Sequence, residues 1–568
     1  MNTWPAPDKL DELYAQAKQW LAHDPDPTTR QELGALIEAA AVDSDAAADL
    51  ADRFAGRLEF GTAGLRGTLG AGSNRMNRLT VRRAAAGLAE WVVRNHQGPG
   101  APLVVVGFDA RHYSDQFAAD TAAVLSGADV VVRSLPEPLP TPVLAHTVRD
   151  LGATAGVMVT ASHNPPQDNG YKVYAGRPTG SQIASPIDTE ISAAIEAVGP
   201  GDELALGDGG RTFGTEPVRR YLDSVTALPT GPDRDISVTY TPLHGVGAAT
   251  LQAAFARSGF PPPHLVATQA TPDPDFPTLS FPNPEEPGAL DHALAEAQRT
   301  GSDLVLANDP DADRLAVAVP GHGMLTGDEL GGLLAEHVLA HTSGAGRIVA
   351  TTVVSASLLP RIAAAHGVRC VETLTGFKWL ARVGSDQDGP QCVFAYEEAL
   401  GYCISADGKR PVADKDGIGA ALVAAGMAAS AKRDGRSLLD LRDDQTRRYG
   451  AHLTRQLTVA LETPAAGAAV LDRLRAQPPQ QLADLRVTQI QDLAAGTEDL
   501  PPSEALRYWL DGPVQGRLVV RPSGTEPKLK CYLEVVLPPR SDVAATRAEG
   551  GRYLDHLEGA VRALVQSS

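Results

Sequence analysis

Four short stretches hold residue types that could do chemistry, and each stands where an apolar run gives way to turn residues. In "GVMVTASHNPPQ" an apolar run ends in Thr160, Ala161, Ser162, His163 and Asn164, ahead of Pro165 and Pro166. A hydroxyl and an imidazole are thereby delivered to the mouth of a strand. A plain turn competes, because Ser, His and Asn are common turn residues. No G-x-S-x-G pattern surrounds Ser162, which disfavours a hydrolase elbow. Lys172, further along, could return to the same mouth as a cation or proton carrier, or be a solvated surface lysine. In "NDPDADRLAV", Asp309, Asp311 and Asp313 alternate, so an extended loop lets their carboxylates converge on one hard cation. Magnesium suits such a set, since it is commonly held by few protein carboxylates together with substrate phosphate. Three aspartates between apolar strands would otherwise repel one another. An EF-hand is excluded, because Arg314 and Pro320 stand where its loop needs Gly and Glu.

Two further stretches could bind rather than react. "TLTGFKWL" and "FAYEEALGY" offer Glu397 and Glu398 as acceptors for a polyhydroxylated ligand, with Lys378 and Trp379 as a binding edge or as helix-start packing. In "VVRPSGTEPKLKCYLE", Arg521, Ser523, Thr525 and Lys528 bracket Gly524, leaving backbone N–H groups, hydroxyls and two cations for a phosphate dianion. Arginine adds a planar fork that lysine cannot copy. A polar hairpin turn is the bland alternative. Lys415 in "DKDG" is a possible extra cation.

The elements that must position these loops alternate strand and helix. "LVVVGF", "ADVVVRSL" and "TAGVMVT" read as strands, separated by the helical "DQFAADTAAVLSG" and "TPVLAHTVRDLG". Such a β-α-β-α-β series favours a mostly parallel sheet covered by helices. The plan recurs through "DISVTYTPLHGVGAATLQAAFARSG", "HLVATQ", "GALDHALAEAQRTG" and "DLVLANDPDADRLAVAV", and again from "LGGLLAEHVLAHT" to "QCVFAYEEALGYCIS". From about Tyr449 the pattern changes to the strands "AHLTRQLTVAL" and "GRLVVRPSGTEPKLKCYLEVVL" with a helical tail, a smaller α+β unit. "LPTGPDRD" (Leu228–Asp235) reads as a turn, and the stretch before Arg53 as helical without assignable chemistry. The expectation is three similar mixed α/β domains, 1–214, 215–321 and 322–446, plus a C-terminal α+β domain, 447–568. Each loop then falls at a strand end, where open α/β sheets place ligands.

Composition bounds the class. A chain of 568 residues exceeds one core. Its 43% apolar and 21% charged residues are those of an ordinary globular protein. A net charge of −19 argues against a nucleic-acid partner, which needs a basic face. The four cysteines show no metal or disulfide spacing and read as reduced structural thiols. The N-terminus lacks the basic and apolar regions of a signal peptide, and no apolar run could span a bilayer. A cytoplasmic protein without a membrane partner is expected.

In this order the four loops resemble those of the α-D-phosphohexomutase family: "TASHNP" the phosphoserine loop, "DPDADR" the metal loop, "EEALGY" the sugar loop and "RPSGTEPK" the phosphate loop. "EFGTAGLRG" (Glu59–Gly67), "TPLHGVG" (Thr241–Gly247) and "LTGFKW" resemble its long phosphoglucomutase-2 and phosphopentomutase branch. The resemblance covers nearly the whole chain and implies four domains in a heart shape around one central cleft. It implies that Ser162 is phosphorylated and, with Asp309, Asp311 and Asp313, holds Mg2+. Lys172, Arg314, His163 and Arg66 would be catalytic, with Lys172 the candidate general acid or base. Thr375, Gly376 and Glu397 would meet the sugar, while Arg521, Ser523, Gly524, Thr525 and Lys528, aided by Lys415, would grip the unreacting phosphate. The implied activity is interconversion of glucose 1-phosphate and glucose 6-phosphate through glucose 1,6-bisphosphate, in a monomer or homodimer acting on small sugar phosphates. A phosphopentomutase, a phosphomannomutase or a glucose 1,6-bisphosphate synthase uses the same scaffold. A phosphatase or a non-catalytic sensor is a weaker alternative. Ala399 stands where many hexose-specific relatives carry Ser, which removes a hydroxyl from the sugar loop.

Overall fold

The computed structural model describes residues 7–566 except 62–63, 177–178, 200–203, 345, 386–388, 407, 462 and 524–527. The chain groups into two compact units: unit 1 is Met1–Ala227, Ser237–Ala316 and Pro411–Leu422, and unit 2 is Leu228–Ile236, Val317–Arg410 and Val423–Ser568. Two short segments are therefore exchanged. Leu228–Ile236, which includes the "LPTGPDRD" turn, belongs to unit 2, and the segment carrying "DKDG" belongs to unit 1.

The first sheet of unit 1 is built from β1 (Leu65–Thr68), β2 (Leu103–Phe108), β3 (Val131–Ser134), β4 (Ala155–Val159), β5 (Asp168–Ala175) and β6 (Arg211–Thr212), in the order β1-β5-β4-β2-β3-β6. Its centre is parallel, β3 and β4 flanking β2. The Val-rich runs of β2 and β4 are apolar on both faces because helices Ser114–Gly127 and Thr141–Asp150 both pack on them. The sheet is mixed rather than all parallel, because β5 turns back antiparallel beside β4, pairing Lys172 with Met158, and β1 adds antiparallel to β5. The Ser162 stretch is thus the tip of a hairpin. Helices Pro7–His23, Pro27–Ala39 and Ser44–Arg53 form a satellite core around Trp20, Leu33 and Leu50. Asp26 and Asp43 cap the latter two by accepting backbone N–H bonds.

In the second set of unit 1 strands, β7 (Val238–Thr241) lies parallel to both β8 (His264–Leu265) and β9 (Leu304–Ala307). β8 is shorter than "HLVATQ" suggests. Gln269 ends the run by turning its amide N–H to the Val266 carbonyl and its side chain to Thr241 and Thr278. After the aspartate loop, β10 (Ala316–Val319) and β11 (Gly323–Met324) make an antiparallel hairpin that belongs to unit 2 from Val317 onward.

Unit 2 holds a four-stranded sheet, β13-β12-β14-β15, made of β12 (Arg347–Thr352), β13 (Arg369–Thr373), β14 (Gln391–Glu397) and β15 (Gly401–Ile404). It also holds a six-stranded antiparallel sheet made of β16 (Ala451–Ala460), β17 (Gln481–Leu482), β18 (Leu485–Asp492), β19 (Leu506–Asp511), β20 (Gln515–Pro522) and β21 (Lys528–Leu537). Helix Val543–Gln566 packs on β16 and β21, and helix Pro464–Ala476 on β20. The change of pattern expected from about Tyr449 coincides with the end of helix Leu438–Tyr449, which the Ser437–Asp440 capping box starts and Gly450 ends, while the boundary drawn at 446/447 falls inside that helix. The break comes after Tyr449, at the first residue of β16.

The two sheets of unit 2 meet through a buried ionic cluster. Glu534 on β21 accepts from the Ser357 amide (2.7 Å) and hydroxyl (2.9 Å), with His452 Nδ1 at 3.1 Å and Arg517 Nη2 at 2.9 Å. Arg517 in turn donates to the carbonyls of Val353 and Ser355. Burial would raise the Glu534 carboxyl, but the Arg517 charge and the hydrogen bonds from His452 and Ser357 hold it down at about 2. A carboxyl depressed in the folded state stabilises above its unfolded pKa and stops doing so as pH falls toward its folded value. The stability of unit 2 is therefore expected to decline between about pH 4.5 and pH 2, by on the order of 3 kcal/mol from this group. Glu534→Gln should flatten that dependence and cost about 3–5 kcal/mol at neutral pH by stranding Arg517. Chemical denaturation followed across pH checks both.

Candidate active site

Ser162 stands past the C-terminal end of β4 with φ of 54°, a left-handed conformation that a residue with a Cβ keeps only when its surroundings hold it. The side chain is buried. Its Oγ donates to Asp309 Oδ2 at 2.7 Å and lies 3.1 Å from His163 Nδ1, while the Ser162 amide donates to Thr160 Oγ1 at 2.9 Å. The hydroxyl and the first aspartate of "DPDADR", which neighbouring elements of unit 1 carry, are thus in direct contact.

Asp309, Asp311 and Asp313 are wholly buried, and one oxygen from each lies within 4.8 Å of the others. Ala312 makes this possible by taking φ of 55°, which turns the loop so that successive aspartates face one point. Burial and the charges of Asp311 and Asp313 push Asp309 up to about 8. Asp311 Oδ1 and Asp313 Oδ1 are buried without a hydrogen-bond partner among the described residues. Hard oxygen donors converging with two lone pairs unused fit a divalent cation of the magnesium type, and such an ion would relieve the repulsion that raises Asp309.

Cations compensate the rest. Lys172, on β5, donates to Asp311 Oδ2 at 2.6 Å and Asp313 Oδ2 at 2.8 Å with its side chain only 1% exposed. Burial works to lower its ammonium pKa, but those two carboxylates outweigh burial and hold it above its ordinary value, so Lys172 is charged. Thr141 Oγ1 donates to Asp311 Oδ2 at 2.6 Å. Burial would raise Asp313 too, yet Lys172, Lys415 and Arg314 hold it far below the usual carboxylate range. Arg314 Nε sits 4.0 Å from both Asp309 and Asp313. Burial, then Arg314 and Arg66, lower His163 well below an ordinary imidazole, so it is neutral near pH 7. Arg66, on β1, donates to Asn164 Oδ1 at 3.0 Å, and its Nε has no hydrogen-bond partner among the described residues.

Lys415 stands with this group. Its Nζ is 3.3 Å from Asp313 Oδ2, because the segment Pro411–Leu422 is drawn into unit 1. Tyr174 and Gln182 donate to Asp414, and Tyr221 donates to Asp416 at 2.6 Å, on either side of Lys415. The structure therefore places Lys415 at the aspartate triad, where the resemblance implied a grip on the unreacting phosphate.

Unit 2 holds the remaining residues. Gly376 has φ of 111°, a backbone angle that favours glycine, and leads into the short helix Phe377–Leu380. The neighbouring Thr375 Oγ1 is buried without a hydrogen-bond partner among the described residues. Glu397 ends β14. Glu398 Oε2 accepts from Thr352 (3.2 Å) and Ser355 (3.3 Å). Arg521 on β20 hydrogen-bonds Tyr532 on β21, and the charges of Glu398 and Glu397 reach the same phenol. Ser523 and Lys528 close the hairpin, the Ser523 amide donating to the Lys528 carbonyl at 2.8 Å. Gly524 and Thr525 lie outside the described residues.

Several residues at these sites carry no motif that singles them out: Thr141, Tyr532, and the pair Asp109 and Arg111 after β2. For the pair there was a signal. "GFDARHYS" also puts charged residues at the C-terminal end of a parallel strand, where ligand-handling residues gather. Gly170 shows how tightly the Ser162 hairpin is built, since a Cβ there would meet the Thr160 carbonyl oxygen at 2.5 Å and that of Leu65 at 2.9 Å. Gly170→Ala is expected to destabilise unit 1 by about 1–3 kcal/mol, read from its unfolding transition, and to lower activity because Thr160 anchors Ser162.

Comparison with known proteins accords with this geometry. Residues 57–200, 219–323, 326–449 and 479–563 match, in order, domains I, II and III and the C-terminal domain described as phosphoglucomutase/phosphomannomutase. The Haemophilus influenzae protein named "Probable phosphomannomutase" is 40% identical across 85% of this chain and 97% of its own. Mouse "Phosphopentomutase" is 34% identical across 97% of this chain and 94% of its own. The crystal structure of a phosphoglucomutase/phosphomannomutase family protein from Burkholderia thailandensis shares the fold, with a TM-score of 0.66 and 19% identity over 89% of this chain and 98% of that one. With all four domains matched in sequence order and relatives aligned over nearly their full length, the chain belongs to the α-D-phosphohexomutase family, whose members are isomerases that transfer a phosphoryl group.

Proposed function

We propose that this enzyme interconverts glucose 1-phosphate and glucose 6-phosphate, with Ser162 as the phosphoryl carrier and glucose 1,6-bisphosphate as the intermediate. The observation that carries the reading is the Ser162 hydroxyl held 2.7 Å from Asp309 in a buried triad of carboxylates. A phosphate on Ser162 would supply the oxygen that completes a Mg2+ site with Asp309, Asp311 and Asp313. When bound, Mg2+ neutralises oxygens of the migrating group.

The chain's own groups do the rest. A free hydroxyl of the sugar monophosphate attacks the phosphorus of phosphoserine 162, the bond to Ser162 Oγ breaks, the hydroxyl's proton passes to Ser162 Oγ, and a bisphosphorylated sugar forms. Its other phosphoryl group then returns to Ser162 Oγ, leaving the isomeric monophosphate. Lys172, Arg314, Arg66 and Lys415 surround this centre with fixed positive charge, which favours transfer of a dianion without reorganisation. Held charged, Lys172 serves as the acid of a proton transfer rather than the base. Arg521, Ser523 and Lys528 suit the phosphate that does not move, and Thr375, Gly376 and Glu397 suit sugar hydroxyls. Recognition of a second phosphate favours a mutase over a phosphatase, which has no use for one.

A pentose phosphate is the second reading, favoured by Ala399. The position is half-buried and offers no hydroxyl, and Glu398 beside it is engaged by Thr352 and Ser355. Sites that recognise substrates by hydrogen bonds discriminate strongly, so a lost donor weakens preference for a particular hexose. The likeness to a protein named phosphopentomutase points the same way.

Phosphorus NMR with Mg2+ and a trace of glucose 1,6-bisphosphate tests both readings, with glucose 1-phosphate, mannose 1-phosphate and ribose 1-phosphate supplied separately. Glucose 6-phosphate should form fastest, without inorganic phosphate. A faster ribose reaction would establish the second reading, and release of inorganic phosphate alone would overturn both. Ser162→Ala should lose activity by at least about 10³-fold and should not take up a phosphate from glucose 1,6-bisphosphate by intact-protein mass spectrometry. Chelation by EDTA should abolish turnover, and added Mg2+ should restore it.

A further inference from the structure

Beneath the hairpin that carries Ser162 lies a buried guanidinium to which the reaction above gives no part. Arg111 follows β2 in "GFDARHYS", and its side chain is 1% exposed. Nη2 donates to the carbonyl oxygens of Ser162 and Asn164, both at 2.6 Å. Nη1 donates to those of Pro165 at 2.9 Å and Asp168 at 3.1 Å. The Phe276 ring floors the group, its centroid 5.0 Å from the guanidinium carbon. Nε faces Asp109 Oδ2 at 3.5 Å. The other Asp109 oxygen accepts from the Arg111 amide at 3.0 Å and from Ser114 Oγ at 2.7 Å.

This arrangement is specific to arginine. Only a planar fork with five donors can meet four carbonyls spread along one loop, whereas an ammonium is a point charge with three. What the loop gains is direction. Ser162 sits in a left-handed conformation that needs support, and its own carbonyl is among those gripped. Carbonyls committed to Arg111 do not present their negative ends to the oxygens of a phosphoryl group on Ser162. Phosphoryl transfer rests on electrostatic stabilisation together with placing attacking and leaving oxygens in line, so the angle at which Ser162 Oγ is presented bears directly on the rate.

We infer that Arg111 is a positioning residue for phosphoryl transfer, setting the attitude of Ser162 through four carbonyls of its loop without touching substrate. The inference rests on the phosphoserine mechanism proposed above. The test compares the wild type with Arg111→Lys, Arg111→Ala and Asp109→Asn by thermal melting, by kcat and KM for the sugar phosphate that the wild type turns over, and by the mass-detected rate at which glucose 1,6-bisphosphate phosphorylates Ser162. Arg111→Lys should stay folded and lose about 10²-fold in kcat, with KM changed by no more than about twofold. Phosphorylation of Ser162 should slow in step, and Arg111→Ala should be slower still, so that lysine rescues only in part. A lysine variant within twofold of the wild-type kcat overturns the inference. So does a rise in KM at unchanged kcat, which would mark a substrate contact instead. Should neither Arg111 variant fold, Asp109→Asn decides, because it keeps the shape of the pair and removes the charge that orients Nε: a fall in kcat at constant KM supports the inference, and wild-type kcat overturns it. A wild type that turns over but takes no phosphate on Ser162 overturns the phosphoserine mechanism and this inference together. A phosphorylated wild type matched by the lysine variant overturns the positioning role alone.

Discussion

Three carboxylates buried within one short loop are the constraint around which unit 1 is organised. Left alone, Asp309, Asp311 and Asp313 would repel one another in a medium that screens poorly. The fold answers with Lys172 and Lys415 in direct contact, Arg314 close by, and, among the described residues, one oxygen on each of Asp311 and Asp313 that accepts no hydrogen bond. Elements far apart in sequence are recruited for this. β5 turns antiparallel to bring Lys172, and the segment Pro411–Leu422 joins unit 1 to bring Lys415. The same charges that hold the loop together in the folded chain are those that the proposed chemistry would use to steady a migrating phosphoryl group, so stability and proposed chemistry would draw on one set of interactions.

Around the triad the backbone is braced by buried polar contacts rather than by extra apolar packing. Tyr240 donates to Asn308 at 2.8 Å, and Asn308 reaches on to the Arg314 carbonyl at 2.5 Å, spanning the metal loop. "TPLHGVG" presses against the same loop. A Cβ on Gly245 would fall 2.3 Å from Pro310, and the Val246 amide donates to the Pro310 carbonyl. Leu243 and His244 both take left-handed angles to make that approach. Satisfied buried networks of this kind specify one arrangement, because each broken contact leaves a polar group without water.

Unit 2 follows a different logic. Glu398 is held by the Thr352 and Ser355 hydroxyls, and Arg521 by the Tyr532 phenol, so these polar groups are restrained by neutral partners. A deeply buried charge cluster there, Glu534 on β21 with Arg517 on β20 beside His452 on β16, joins one sheet to the other.

Much of this was legible in the linear chain. The apolar runs marked the central strands of the α/β domains and several of their helices, though not β5, β13 or the helices Arg78–Asn95 and Gly417–Arg433, and the C-terminal change of pattern marked the start of the α+β unit, because burial on one or two faces leaves a periodic signature. Residue type and spacing also marked Ser162 and the three aspartates, since three carboxylates at alternate positions between apolar strands have few stable fates. What the chain alone could not show was which distant groups would meet them. That β5 runs back beside β4, that Lys415 joins the triad, and that Arg111 reaches four carbonyls of the Ser162 loop are consequences of strand pairing and segment exchange, which carry no local pattern. Local sequence determined which groups could do chemistry, because periodicity and side-chain type are properties of neighbours. Tertiary structure decided which of them work together, because charge compensation acts through space.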